Sequence, residues 1–212
     1  MYERSVKRLV DLLLSGFALL AFSPLMLAIV IWVKSDSPGP VYFTQKRVGK
    51  GKSTFSMLKY RTMRIDAPHD QPTHQLENPD KWITRAGKLL RKTSLDELPQ
   101  LYNILLGDMS IVGPRPALWN QYDLIEARDA SGANDIRPGL TGWAQVNGRD
   151  ELSIDDKAQL DADYVSRLSF GLDKRCLALT IMGVMRHDGI VEGAAGSTMY
   201  HDAIRHKEIA SW

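Results

Sequence analysis

The chain has 212 residues, a single cysteine and a formal net charge of +2. A chain this long builds one domain with a sizeable core and needs no disulfide framework. Cys176 has no second cysteine to bridge, and no Cys/His pattern has zinc spacing, so a reducing, cytoplasmic setting fits. The charge is uneven. Residues 1–64 carry 11 Lys+Arg against 3 Asp+Glu, and the remainder carries 16 against 22. A basic first third points to an anionic partner: a membrane surface, a phosphate or a nucleic acid. A solvated basic face is the plainer reading of the same charge.

Residues 9–33, LVDLLLSGFALLAFSPLMLAIVIWV, form the most apolar stretch. As a straight helix they reach ~37 Å, beyond the roughly 30 Å hydrocarbon core of a bilayer. One transmembrane helix is the simple reading, but two features favour a re-entrant hairpin. Pro24 has no N–H, so the carbonyl of Leu20 loses its helical donor and the helix kinks or breaks there. The hydroxyl of Ser23 can satisfy a carbonyl freed in this way. Each arm, 9–22 or 25–33, is then too short to span, at ~21 Å and ~14 Å. The second feature is flanking charge. Arg4, Lys7 and Arg8 precede the run, while Lys34, Lys46, Arg47, Lys50 and Lys52 follow it. The positive-inside tendency places both flanks in the cytoplasm. A signal peptide is disfavoured because Pro24 follows the small residues where a cleavage site would lie. A buried helix of a soluble core is usually shorter.

After the turn at residues 35–40, residues 41–45 and 54–60 read as two strands paired across Gly49-Lys50-Gly51-Lys52. Residues 66–80 read as a loop, and a short helix is expected near 84–92. Helices are also expected over 116–130 and 153–169. Residues 137–149 read as a loop with some strand, and 172–185 as an apolar helix or strand. This is an α+β fold, mostly helical with a small β-hairpin, attached to an apolar anchor.

Asp96 and Glu97 are the candidate chemical pair. Local sequence favours a plainer role. Ser94 and Glu97 have capping-box spacing, and Pro99 suits a first helical position, so either reading puts the pair at a helix start. The neighbours shift the balance. Arg91 and Lys92 lie just upstream. Downstream, Arg115 is held between Pro114 and Pro116, whose rings restrict the backbone and pre-order a bidentate phosphate donor. Lys59 and Arg61 add cations near the second strand. Carboxylates among several cations suit a polyphosphate substrate.

The segments KRLVDLLLS, SPLML, SPGPVYFTQKRVGKG, KYRTM, RKTSLDELPQLYNILLGDMSIVGPRP and IRPGLTGWAQVNGR, with the D-x-x-Y stretch Asp161–Tyr164, carry a resemblance over about residues 7–186. The chain resembles the bacterial sugar transferases, the monotopic polyprenyl-phosphate phosphoglycosyl transferases, in their small, minimal form. The resemblance implies a re-entrant helix broken at Ser23-Pro24 and an anchor over residues 1–34. It implies a catalytic domain with interfacial helices over 35–187, on the cytoplasmic face of a bacterial inner membrane; no family motif falls in the tail, 188–212. It implies Asp96 as nucleophile, with Glu97 orienting Asp96 or holding metal, and Mg²⁺ on the pair. Lys59, Arg91 and the Pro114-Arg115-Pro116 motif are the expected substrate contacts. The expected substrates are a UDP-sugar and polyprenyl phosphate, with membrane lipids as surroundings and no nucleic acid. Sugar, pathway and oligomeric state stay open. The rival from another class is a non-enzymatic membrane tether in which Asp96–Glu97 is only a cap.

Overall fold

A computed structural model describes residue 2 and residues 6–68, 78–148 and 152–186. The tail 188–212, most of the loop 66–80, and Arg4 and Arg149 lie outside the described residues. The fold is mixed: helices predominate, with two small two-stranded sheets.

Helix α1 runs Lys7–Asp36, with Pro24 inside it. Among the described residues it is the one helix long and apolar enough to cross a membrane. The missing Pro24 donor leaves Leu20 O without its helical partner, and Ser23 Oγ donates to that carbonyl at 2.8 Å. Helical structure continues through the pair from Lys7 to Asp36. The middle of α1 projects bare apolar side chains, with Phe17 72% and Leu20 77% exposed. Its two ends are buried on the same body. At the start, Lys7 Nζ pairs with Asp173 at 2.6 Å, and Asp11 accepts from Ser110 Oγ and Ile111 N, each at 3.0 Å. Near the end, Ile29 and Val33 pack with Tyr60, Ala86 and Leu90, and Asp36 accepts from Ala86 N at 2.9 Å.

Strands β1, Tyr42–Val48, and β2, Thr54–Tyr60, pair antiparallel with Phe43 opposite Lys59. The turn between them uses Gly51 at φ 63°, the left-handed region that glycine enters without a Cβ clash. Helix α2, Arg85–Lys92, is capped by Thr84, whose Oγ1 accepts from Gly87 N at 2.9 Å. Helix α3, Gln100–Leu106, ends at Gly107 in the left-handed region. Strand β3, Ser110–Val112, pairs in parallel with β4, Gly139–Thr141.

Between them the expected helix over 116–130 shrinks to α4, Tyr122–Asp129. Residues 117–118 are instead drawn along the edge of β1: Val48 N donates to Ala117 O at 3.0 Å, and Arg47 bridges Leu118. Pro116 has no N–H to offer a helix, and strand pairing satisfies the carbonyls that follow. The stretch 137–149 contains β4 and a one-turn helix α5, Trp143–Val146. Helices α6, Ile154–Ser166, and α7, Phe170–Arg186, are the last elements among the described residues. The main core gathers Ile104, Met109, Val112, Trp143, Tyr164 and Cys176 from the sheets and helices around α3.

Candidate active site

The carboxylate pair sits where α2 hands over to α3. Ser94 has φ 56°, in the left-handed region, and turns the chain into a single 3₁₀ turn, Leu95–Glu97. The capping box does not form, because Ser94 makes no side-chain cap bond there. Pro99 sits just before α3 rather than as its first residue. The pair therefore occupies a tight turn of its own between two helices, with Asp96 buried and Glu97 half-buried.

The two carboxylates have different surroundings. Glu97 Oε1 accepts from Lys59 Nζ at 2.7 Å and from Arg115 at 3.3 Å. Asp96 is buried, at 8% exposed. Burial pushes its carboxyl up to about 6; Lys59 opposes that, Glu97 adds to it, and Arg91 and Arg115 oppose it more weakly. At neutral pH Asp96 is still mostly ionised, yet poorly hydrated. A poorly hydrated carboxylate is a stronger oxygen nucleophile than a solvated one. Lys59 from β2 and Arg115 from the loop after β3 pair with Glu97, and Arg91, in the last turn of α2, acts on Asp96 through its charge. The structure thus brings Asp96, Glu97, Lys59, Arg91 and Arg115 together from four separate elements.

Pro114 and Pro116 act through their backbones. Pro114 O accepts from Gly139 N at 2.9 Å, and Pro116 O accepts from Arg47 at 2.9 Å. Arg115 O accepts from Arg128 at 3.1 Å. Arg128 is held in turn by Asp161, whose Oδ2 takes both Nε at 2.8 Å and NH2 at 2.6 Å. One turn further along α6, Tyr164 donates to Val112 O at 3.2 Å, the last carbonyl of β3. The D-x-x-Y spacing places Asp161 and Tyr164 on one face of α6, so both support the strand and loop that carry Arg115. Sequence reasoning did not single out Arg47, Arg128 or Gly139. The partners that tie them to the site are the backbone carbonyls of Pro116, Arg115 and Pro114, and Arg128 is held by Asp161, 33 residues on; no local pattern announces such contacts.

Among the described residues no group of three or more Asp, Glu, His or Cys side chains converges. Asp96 and Glu97 alone make a two-carboxylate donor set. That matches Mg²⁺, which is held by one or two carboxylates together with substrate phosphates and water. It does not match an all-protein cage.

Comparison with known proteins gives the family. The model of the family described as bacterial sugar transferase matches residues 2–187. The UDP-glucose:undecaprenyl-phosphate glucose-1-phosphate transferase of Xanthomonas campestris pv. campestris is 45% identical over 186 residues, covering 84% of this chain and 38% of that protein. An uncharacterized sugar transferase of Bacillus subtilis, EpsL, is 40% identical over 185 residues, covering 87% of this chain and 90% of its own length. The UDP-N-acetylgalactosamine-undecaprenyl-phosphate N-acetylgalactosaminephosphotransferase of Aeromonas hydrophila is 39% identical over 186 residues, covering 85% of this chain and 44% of that protein. The chain thus spans less than half of two of these relatives and nearly all of the third. With a buried carboxylate beside cations from three other elements and a family model matched over residues 2–187, the chain belongs to the bacterial sugar transferase family.

Proposed function

We propose that this chain transfers a sugar 1-phosphate from a UDP-sugar to a polyprenyl phosphate, undecaprenyl phosphate in the first instance. The observation that carries the reading is the buried Asp96 carboxylate, 8% exposed, beside Glu97, Lys59, Arg91 and Arg115. Relatives named as UDP-sugar:undecaprenyl-phosphate transferases support the substrate pair.

In the first half-reaction an Asp96 oxygen attacks the sugar-linked phosphorus. The bond from that phosphorus to the bridging oxygen breaks, and UMP leaves with the electron pair. An aspartyl phosphosugar remains. In the second half an oxygen of the lipid phosphate attacks the same phosphorus, the bond to Asp96 breaks, and polyprenyl diphosphate sugar is released. Arg115, pinned between its prolines, and Arg91 hold donor phosphate oxygens. Lys59 and Arg115 offset the charge of Glu97 and of the incoming diphosphate. Asp96 and Glu97 would hold Mg²⁺, which when bound neutralises phosphate charge. The product is an initiating lipid-linked sugar for a surface polysaccharide or glycoprotein glycan.

The anchor fits the lipid acceptor. With both ends of α1 docked on one body, we read the helix as re-entrant, with both ends on the cytoplasmic face. A cysteine at position 2 and another at position 36, in a Cys176→Ala background, are expected to react with an impermeant maleimide from the same membrane face. Labelling from opposite faces rules out the re-entrant reading. For the chemistry, purified protein in detergent with Mg²⁺ and undecaprenyl phosphate is expected to release UMP from at least one member of a UDP-sugar panel. A protein that releases none from any donor, although folded, is a tether and not a transferase.

A further inference from the structure

We infer that Arg128 is a positioning residue for Arg115: clamped by Asp161, it fixes the one peptide group that sets where the phosphate-binding guanidinium points. The inference rests on the proposed transfer reaction, because it assigns Arg115 to the donor.

The reasoning starts from the covalent structure of the loop. The peptide between Arg115 and Pro116 has no N–H, so its plane can be hydrogen-bonded only through Arg115 O. Rotation of that plane is rotation about ψ of Arg115, the main backbone freedom left at a residue whose φ/ψ space the following proline already narrows. Arg128 NH1 occupies that single handle, at 3.1 Å. The Arg115 side chain is itself 40% exposed and reaches Glu97 at 3.3 Å, so its starting point and direction are set by the backbone that carries it.

Arg128 is built as a fixed tool. It is 4% exposed and Asp161 is 1% exposed. Two of its nitrogens, Nε and NH2, converge on Asp161 Oδ2, and the planar fork then directs NH1 at Arg115 O. A buried ion pair is a weak device for stability, since desolvation offsets most of its attraction. A pair placed so that its third arm holds the backbone of a site residue has a geometric purpose instead. Arg47 does the matching job one residue on, at Pro116 O, with its guanidinium held by Gln45 Oε1 at 2.6 and 3.1 Å.

The test is a kinetic cycle with a fold control. Arg128→Met combined with Asp161→Leu removes both charges and leaves apolar volume, a replacement that buried ion pairs usually tolerate. The double variant is expected to melt close to wild type. Its KM for the UDP-sugar rises ~10–100-fold, as for a misaimed binding group, while its KM for undecaprenyl phosphate changes less than twofold. In an Arg115→Ala background the same pair of changes is expected to move the donor KM less than twofold, because nothing remains to be aimed. A purely structural role predicts the same loss in both backgrounds. Should the double variant fail to fold, Arg128→Lys takes its place: the ammonium stays with Asp161 and releases Arg115 O, and the same donor-specific rise in KM is expected. An unchanged donor KM in a folded, active variant, or additive losses with Arg115→Ala, overturns this inference alone. Absence of UMP release by wild type overturns the transfer reading first, and this assignment with it.

Discussion

Asp96→Asn is expected to lose turnover by about 10⁴-fold or more, the scale of nucleophile removal in enzymes with covalent intermediates, and yet to be more stable than wild type at pH 8. Capture of a phosphosugar on the protein, read by intact-protein mass spectrometry, should disappear with it. The stability gain follows from linkage. Burial raises the Asp96 carboxyl from 3.8 to about 6, so the folded protein holds this proton more tightly than the unfolded chain. The stability contributed by that proton is fully present below 3.8 and is lost as pH rises through about 6. At pH 8 the wild type therefore carries a desolvated charge that costs roughly 3 kcal/mol, taking 1.36 kcal/mol per pH unit. Asparagine removes the charge and keeps the shape. Melting at pH 8 should rise by ~6–12 °C for a chain of this size, and the difference should vanish below pH 4. An Asn variant less stable than wild type at pH 8 would falsify the account of Asp96 as a strained, desolvated carboxylate. The same shift sets the acid limb of kcat/KM in the wild type. Activity should fall as pH drops through about 6, because the protonated carboxyl does not attack.

Gly139→Ala is expected to be among the most damaging single methyl additions at the described glycines. A Cβ there would lie 2.1 Å from Gly113 N and 2.3 Å from Thr141 O. At Gly142 it would lie 2.0 Å from Gly113 O, and at Gly113 it would lie 2.5 Å from Arg137 O. All of these neighbours are backbone, so no side chain can swing away. The three glycines are there for space: they let β4 and the loop after β3 approach closely enough for Gly139 N to hold Pro114 O and Gly113 N to bond Thr141 O at 2.8 Å. A loss of ~4 kcal/mol is expected, at the upper end of single substitutions, with a fall in melting temperature on the order of 10 °C and collapse of donor binding. Gly171→Ala is the control. Nothing lies within 4 Å of its Cβ position, near the start of α7, so the change should be neutral or slightly favourable to the helix. Equal melting of the Gly139 and Gly171 variants would show that the close backbone approach does not matter.

Elements governed by neighbours in sequence were legible. The hairpin of β1 and β2 follows from two short β-rich runs around a Gly/Lys turn, and the helices expected near 84–92 and over 153–169 are α2 and α6, which the structure caps with Thr84 and Ser153. The Ser23–Leu20 contact was readable because Pro24 deletes a known donor at a known offset. Legibility failed where distant chain competes. Residues 117–118 left the expected helix because β1 offers them an edge. Ser94 left the expected capping box because the chain must reverse between α2 and α3, and a left-handed residue makes that reversal. The parallel pairing of β3 with β4 joins segments separated by α4, and periodicity holds no record of which strand lies beside which.

By itself, the sequence determined which residues this protein has to work with: a basic-flanked apolar run with Ser23-Pro24 near its middle, the Asp96–Glu97 pair, and an arginine confined between prolines. These are matters of residue type and local spacing, which covalent structure and composition set directly. Only the tertiary structure decided what each member of the pair experiences. Asp96 is desolvated and Glu97 takes the cations Lys59 and Arg115, because burial and charge proximity depend on which elements meet. It also decided that Arg115 is held through its carbonyl by Arg128 and Asp161, residues 13 and 46 positions downstream, which folding alone brings together.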